Sequence, residues 1–325
     1  LGLRQISSST LTRQVTLPRV GLAIRPFRLW AYPYLFEYFK MYSSYAVGMN
    51  EYPLGYRRGM FNSMLYSTEN FMQYRDTTGI RVQGILNPEL TRTFELATDL
   101  GLFHNRLVFS FQYFSKNTRD VLVPLRENDH FTYQNGCDIR TRGFDLALDY
   151  TNDYYTYRTN LHHEVEINFS RFRNTVTDVY ATSGIIPVGG FRDVYTAMVE
   201  GQPAGVIMGS DYAYHESGQI LIDNEGFPVK NSHASIIGDP NPDWILGITN
   251  YFSYQYLSLS VTLDIKKGGD VWNGTQNSMN YLGLSAETGE QRTTSGYLFE
   301  GVHADGTPNS TLVSFYDPGQ PIEAN

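Results

Sequence analysis

The chain has 325 residues, a net charge of -8, and 18% charged against 14% aromatic residues, with 25 tyrosines among the latter. This acidic balance speaks against nucleic acid as the main partner, because phosphate binding needs a basic face. A single cysteine, Cys137, rules out an intrachain disulfide, and no apolar run reaches the ~18 residues of a membrane-spanning helix. Leu1 opens no basic and apolar leader, so the start of an exported protein is expected upstream. Tyrosine suits strands whose side chains are apolar at one end and wet at the other, in soluble and membrane proteins alike.

Along the chain the informative signal is alternation of apolar and polar residues, the period of a strand with two different faces. It is weak through Leu11–Ile24 and Glu37–Val47. In Arg92–Phe103 it is strict: Phe94, Leu96, Leu100 and Leu102 share one face, and Thr93, Glu95, Ala97, Asp99 and Gly101 the other. Leu107, Phe109, Phe111 and Tyr113 alternate with Ser110 and Gln112, and Phe144, Leu146, Leu148 and Tyr150 with Asp145, Ala147 and Asp149. Leu161 to Phe169 places His163, Val165 and Ile167 opposite His162, Glu164, Glu166 and Asn168. Leu246 to Tyr254 and Leu257 to Ile265 follow the same rule, the latter with Asp264 on its polar face. These segments predict strands side by side in one sheet.

Short and long connections alternate. Phe103–Arg106, Thr151–Tyr155 and Tyr254–Tyr256 are brief, whereas roughly two dozen residues follow Ser115, about seventy follow Phe172, and the 59 after Lys266 hold no clear return strand. Arg92–Phe103 and Gly143–Tyr150 then run down, and Arg106–Ser115 and Tyr157–Phe172 run up. Alternation alone fits a soluble sandwich or propeller as well as a membrane barrel. Alternating loop lengths favour a transmembrane barrel, whose strands of about ten residues cross at a tilt, with short turns on one side and long loops on the other.

Several stretches resemble, in the family's order from Phe36 to Asn280, the barrel of SusC/RagA-like, TonB-dependent outer-membrane transporters. The most specific are Gly238-Asp239-Pro240-Asn241-Pro242-Asp243 and, after a tight hairpin, Gly268-Gly269-Asp270-Val271-Trp272. Asn87-Pro88-Glu89-Leu90, Asn135-Gly136 with Arg142-Gly143-Phe144-Asp145, and Gly201-Gln202-Pro203-Ala204-Gly205 add to them, while Arg92-Thr93-Phe94 departs from the family's Trp-containing approach to Glu95. The resemblance implies an all-β antiparallel transmembrane barrel with long extracellular loops, of which residues 1–325 form one part. The plug domain, the TonB-contacting segment and the final strands have no counterpart here. It further implies an importer of oligosaccharides or oligopeptides in the outer membrane, working with a SusD-like surface lipoprotein and the TonB complex. A soluble carbohydrate-binding or adhesin-like protein and a barrel that transports nothing are the other readings.

Chemical motifs add little. His162, Glu164 and Glu166 share a strand face at ~7 Å steps, too far apart for easy joint ligation, so no metal or cofactor is expected. No nucleophile elbow, Walker loop or HExxH appears, and acidic pairs on strands are usually solvated charge, so no enzyme is expected. Asn273-Gly274-Thr275 and Asn309-Ser310-Thr311 would be glycan acceptors only in a eukaryotic secretory setting. Recognition is expected in the loops. Asp211, Tyr212, Tyr214, Asp270 and Trp272 combine flat aromatics with carboxylates, which suit stacking on sugars or clamping peptide backbones, although loop–loop packing or contact with a lid protein is the commoner use of such residues. Gly238 to Asp243, with Gly268 and Gly269, are read as a structural turn, because proline fixes φ and Asp or Asn side chains bond back to the local backbone.

Overall fold

The computed structural model describes residues 1–6, 14–26, 35–50, 81–82, 86–127, 130–155, 160–191, 194–291 and 296–314. Residues 11–13 and 157–159 of the expected strands, and the Gly/Pro-rich end at 315–325, lie outside them. The strands in chain order are β1 (Gly2–Ile6), β2 (Val15–Ile24), β3 (Phe36–Asn50), β4 (Arg81–Val82), β5 (Glu89–Leu102), β6 (Leu107–Glu127), β7 (His130–Tyr155) and β8 (Asn160–Val179). They continue as β9 (Ile185–Phe191), β10 (Val194–Val199), β11 (Val206–Gly209), β12 (Ser235–Gly238), β13 (Pro242–Tyr254) and β14 (Leu257–Gly268), followed by helices α1 (Gly274–Tyr281) and α2 (Ala286–Gln291).

One sheet runs in the order β1-β2-β3-β5-β6-β7-β8-β13-β14, with β4 attached to β7. The neighbours along this path are antiparallel, and the six strictly alternating segments stand side by side. The register explains why. Leu100, Phe109, Leu148, Ile167, Ile248 and Leu263 form one continuous cross-strand row. The adjacent row, on the opposite face, is Asp99, Ser110, Ala147, Asn168, Gly247 and Asp264. A slip of one residue at any strand would interrupt the apolar row with polar groups, so burial of that face fixes the pairing. Phe94 is 42% exposed and Leu96 41%, whereas Ala97 on the polar side is 2% exposed. Among the described residues no second layer closes over the apolar face at these positions, as on a wall that meets lipid.

The long connections differ from the expectation of open loops. The stretch after Ser115 is not a loop: β6, β7 and β8 have 21, 26 and 20 residues, about twice what a tilted strand needs to cross a bilayer. Their upper halves stand as a ladder beyond the apolar band. Alternation fails there because the ladder is interrupted, with register shifts at Thr118/Val121 and Asp138/Ile139 and a left-handed Asp120 at φ 58. Much of the segment after Phe172 is also folded, as a four-stranded sheet in the order β12-β11-β10-β9.

This second sheet sits on the ladder through a small core. Val123, Cys137, Val176, Val179 and Ile186 are buried together, and Ala197, Val206 and Met208 form a second cluster within the sheet. Gly136 lets the layers meet: a Cβ there would stand 2.1 Å from Val123 Cγ2 and 2.9 Å from Ile186 Cδ1. Val176 continues the face that carries Asn168 and Ser170, so the second sheet packs towards the polar side of the wall and leaves the apolar side open.

Candidate functional site: the loop-side rim

The rim is built from sequence motifs that bond to each other. Asn87 and Asn135 exchange two bonds: Asn87 N–H donates to Asn135 Oδ1 at 2.8 Å, and Asn135 Nδ2 donates to Asn87 O at 2.9 Å. Asn135 Nδ2 also donates to Asp120 O at 2.6 Å, and Glu89 Oε1 accepts from Leu122 N–H at 2.9 Å. Three strands are thus held at the bulge of β6. Above it, Asp138 Oδ1 accepts from Tyr180 Oη at 2.7 Å and from Asp120 N–H at 3.0 Å. Burial and the neighbouring carboxylates push the Tyr180 phenol well above its ordinary range, so it remains a donor. Asn135→Ala removes all three Asn135 bonds. At about 1 kcal/mol net for each, a loss of about 2–3 kcal/mol is expected, read as a lower unfolding midpoint in detergent; Asn135→Asp is not expected to be milder, because it keeps only the acceptor and turns a carboxylate oxygen towards the carbonyls of Asn87 and Asp120.

The second group joins the two ends of the β13–β14 hairpin. Asp270 N–H donates to Asp239 O at 2.7 Å, and Asp270 Oδ2 accepts from Asp239 N–H at 2.8 Å. Asn241 Nδ2 donates to Asp239 Oδ1 at 2.7 Å and to Ala204 O at 3.0 Å, which ties this turn to the Gly201–Gly205 turn. Gly268 and Gly269 have φ of 76° and 88°, and a Cβ would stand 2.9 Å from Asp243 N and 3.1 Å from Pro240 O respectively. The backbones of the two motifs approach so closely that only glycine fits. Gly238, Asp239, Pro240, Asn241, Pro242, Asp243, Gly268 and Gly269 thus lie together where the two ends of the hairpin meet. Asp270, expected in a recognition loop, has its carboxylate bound into this turn.

The other loop candidates lie in a chain of tight turns. Tyr212 bridges to Lys230 and Tyr214 to Ile220, and Asp211 Oδ1 accepts from Tyr212 N–H at 2.8 Å. Tyr214 is 56% exposed, while Asp211, Tyr212 and Trp272 are half-buried. Trp272 packs its ring over Gly274 at the start of α1. Among the described residues one turn geometry recurs three times: His215, Asp223 and His303 each accept from the N–H three residues on and donate to the carbonyl four residues on, at 2.8–3.2 Å. Each places a left-handed glycine (Gly218, Gly226, Gly306) at φ of 81–92°. Sequence reasoning missed this repeat, although Gly226-x-Pro228 and Gly306-x-Pro308 are its written signal. Leu221 pairs parallel with Val302, so the last described stretch docks on these turns.

Asn273 caps α1 by accepting from Gln276 N–H at 3.0 Å, and Asn309 is buried with its amide donating to Phe299 O at 3.0 Å. Asp153 and Glu164 flank His162 near the short-turn end, and no metal-binding group of side chains occurs among the described residues. On the polar face a cavity of 470 Å³ opens between Tyr42, Gln112, Asp145, Asn168 and Asp264. Below the rim this face is acidic, carrying Glu95, Asp99, Asp145, Asp149, Glu164, Glu166 and Asp264.

Comparisons with known proteins agree with this architecture. The family model for the TonB dependent receptor-like β-barrel matches residues 1–298. TonB-dependent receptor P3 of Formosa agariphila is 26% identical over 220 residues, covering 58% of this chain and 21% of the relative. TonB-dependent receptor P26 of the same organism is 23% identical over 247 residues, covering 64% and 24%. The chain thus spans about a quarter or less of the length of these curated relatives. A solved structure of the RagAB peptide importer in its closed-closed state superposes with a TM-score of 0.57 at 20% identity, covering 79% of this chain and 30% of the other. The chain belongs to the TonB-dependent receptor β-barrel family and forms part of an outer-membrane barrel wall.

Proposed function

We propose that the chain is the wall and rim of an importer that carries oligosaccharides or oligopeptides across the outer membrane. A SusD-like surface lipoprotein closes over its loops, and the TonB complex acts through segments outside this chain. The observation that carries the reading is the join between a continuous polar wall and an ordered loop assembly above it. A barrel with no cargo has no need of a folded sheet on its lumen side. The structural likeness to a peptide importer, and the peptide- or sugar-compatible aromatics Tyr212, Tyr214 and Trp272, support the substrate class. In this reading Asp211 orients Tyr212 through its backbone, and Asp270 holds the rim two residues before Trp272.

The test is mild-detergent extraction of the full-length protein, mass-spectrometric identification of copurifying proteins, and binding of peptide and glycan pools to the complex. A stoichiometric lipoprotein and a retained oligomer are the expected results. Tyr214→Ala and Trp272→Ala are each expected to weaken retention by about tenfold, the equivalent of one lost aromatic contact. A barrel that purifies alone and retains neither pool would be a structural barrel, and the importer reading would be wrong.

A further inference from the structure

Directly above the apolar band, the outward face of β7 and β8 changes character. Arg142 and Arg173 stand opposite each other in the ladder, with Arg140 and Arg171 as the next outward residues. All four are exposed, and they share the face of Leu146, Leu148 and Ile167 rather than the acidic lumen face. Like charges directly opposite in a sheet destabilise it. Among the described residues the register surrounds them with Ser115, Asn117, Phe144 and Thr175, none of which carries a compensating charge. Among the described residues no carboxylate pairs with any of the four, and the one bond made is Arg140 Nε donating to Asn117 Oδ1 at 2.9 Å.

Their height identifies the missing anion. From Leu161, at the short-turn end of β8, to Arg171 is about ten residues, roughly 33 Å of strand. At a tilt of ~40° that is roughly 25 Å, the height of the apolar band of an outer-membrane barrel. The arginines therefore lie where the acyl chains of the outer leaflet end and its headgroups begin. Below them the rings of Phe144, Phe169 and Trp244 follow one another at 6.0 and 5.9 Å, an apolar floor beneath a cationic rim. Guanidinium groups bind phosphate through paired, charge-assisted hydrogen bonds.

We infer that Arg140, Arg142, Arg171 and Arg173 form a binding patch for the phosphate groups of outer-leaflet lipid headgroups, with the acyl chains lying on the Phe144–Trp244 aromatic row. The bound phosphate neutralises the Arg142–Arg173 pair and anchors the barrel at a fixed depth.

The experiment uses the full-length protein in mild detergent and native mass spectrometry, with diphosphorylated lipid A and its dephosphorylated form as probes. At least about tenfold more phosphorylated than dephosphorylated lipid is expected to stay bound, equivalent to about 1.4 kcal/mol. In Arg142→Gln/Arg173→Gln that preference disappears, and in the paired Lys variant part of it returns. Equal retention of both lipids by the unaltered protein overturns the proposal without recourse to any variant. A preference that survives in the Gln variant overturns it too. Displacement of the lipid by inorganic phosphate would make the patch a free-anion site. Loss of a copurifying protein from the Gln variant, with lipid retention unchanged, would make it a protein interface.

Discussion

Ile167→Arg is expected to destabilise the folded barrel by about 2–4 kcal/mol, the cost of a guanidinium at the middle of the lipid face of a transmembrane barrel. Ile167 lies in the wholly apolar row between Leu148 and Ile248. Its neighbour Glu166 points to the lumen beside Asp149 and Thr249, and Glu166→Arg is expected to change stability by less than about 1 kcal/mol, as an exposed charge does. The pair is read from denaturant unfolding of the full-length protein in lipid vesicles. Identical losses at both positions would mean that the two faces share one environment, which the register does not allow for a wall between lipid and water.

Ile186→Ala acts elsewhere. Ile186 is fully buried against Val123, Cys137 and Val176, and truncating such a side chain costs about 2–5 kcal/mol. The loss falls on the joint between the second sheet and the ladder rather than on the membrane wall. Cys137 reports it. Burial, with Asp138 and Glu89 nearby, pushes its thiol up to about 11, so in the intact protein it is both covered and protonated at neutral pH. Maleimide labelling of Cys137 should be slow in the unaltered protein and markedly faster in Ile186→Ala, with the barrel still folded by gel mobility. Fast labelling in both would show that this core does not close.

The strands that meet two different solvents were legible in the sequence, and the ones that do not were hidden. Phe94 to Leu102 or Leu257 to Ile265 alternate because one face needs lipid and the other water. Val206–Gly209 is buried on both sides, so its sequence Val-Ile-Met-Gly shows no period and passes for a loop. The upper part of β6 escaped notice for a different reason: the bulge at Asp120 shifts the register, and a shift of one residue exchanges the faces. In the rim, the proline-spaced turn at Asp239 to Asp243 was recognisable from its residue types. Its partnership with Asp270, 31 residues on, was not, because that contact depends on the hairpin bringing both ends together. The Asn87–Asn135 exchange is hidden by the same kind of distance, 48 residues. The outward arginines were in plain view in the sequence, but their face could be assigned only once the β7–β8 register was known.

The central claim, that this sheet is a wall between lipid and an aqueous lumen, is tested most directly by single cysteines placed along β8 from Leu161 to Phe172 in a Cys137→Ser background of the full-length protein. In vesicles, a water-soluble thiol reagent should label the positions of His162, Glu164, Glu166 and Asn168 and spare those of His163, Val165, Ile167 and Phe169. A lipid-soluble reagent should show the reverse. Two such opposed, period-two patterns are the predicted result; protection of the apolar set from both reagents would mean that this face packs against protein, and would contradict the account.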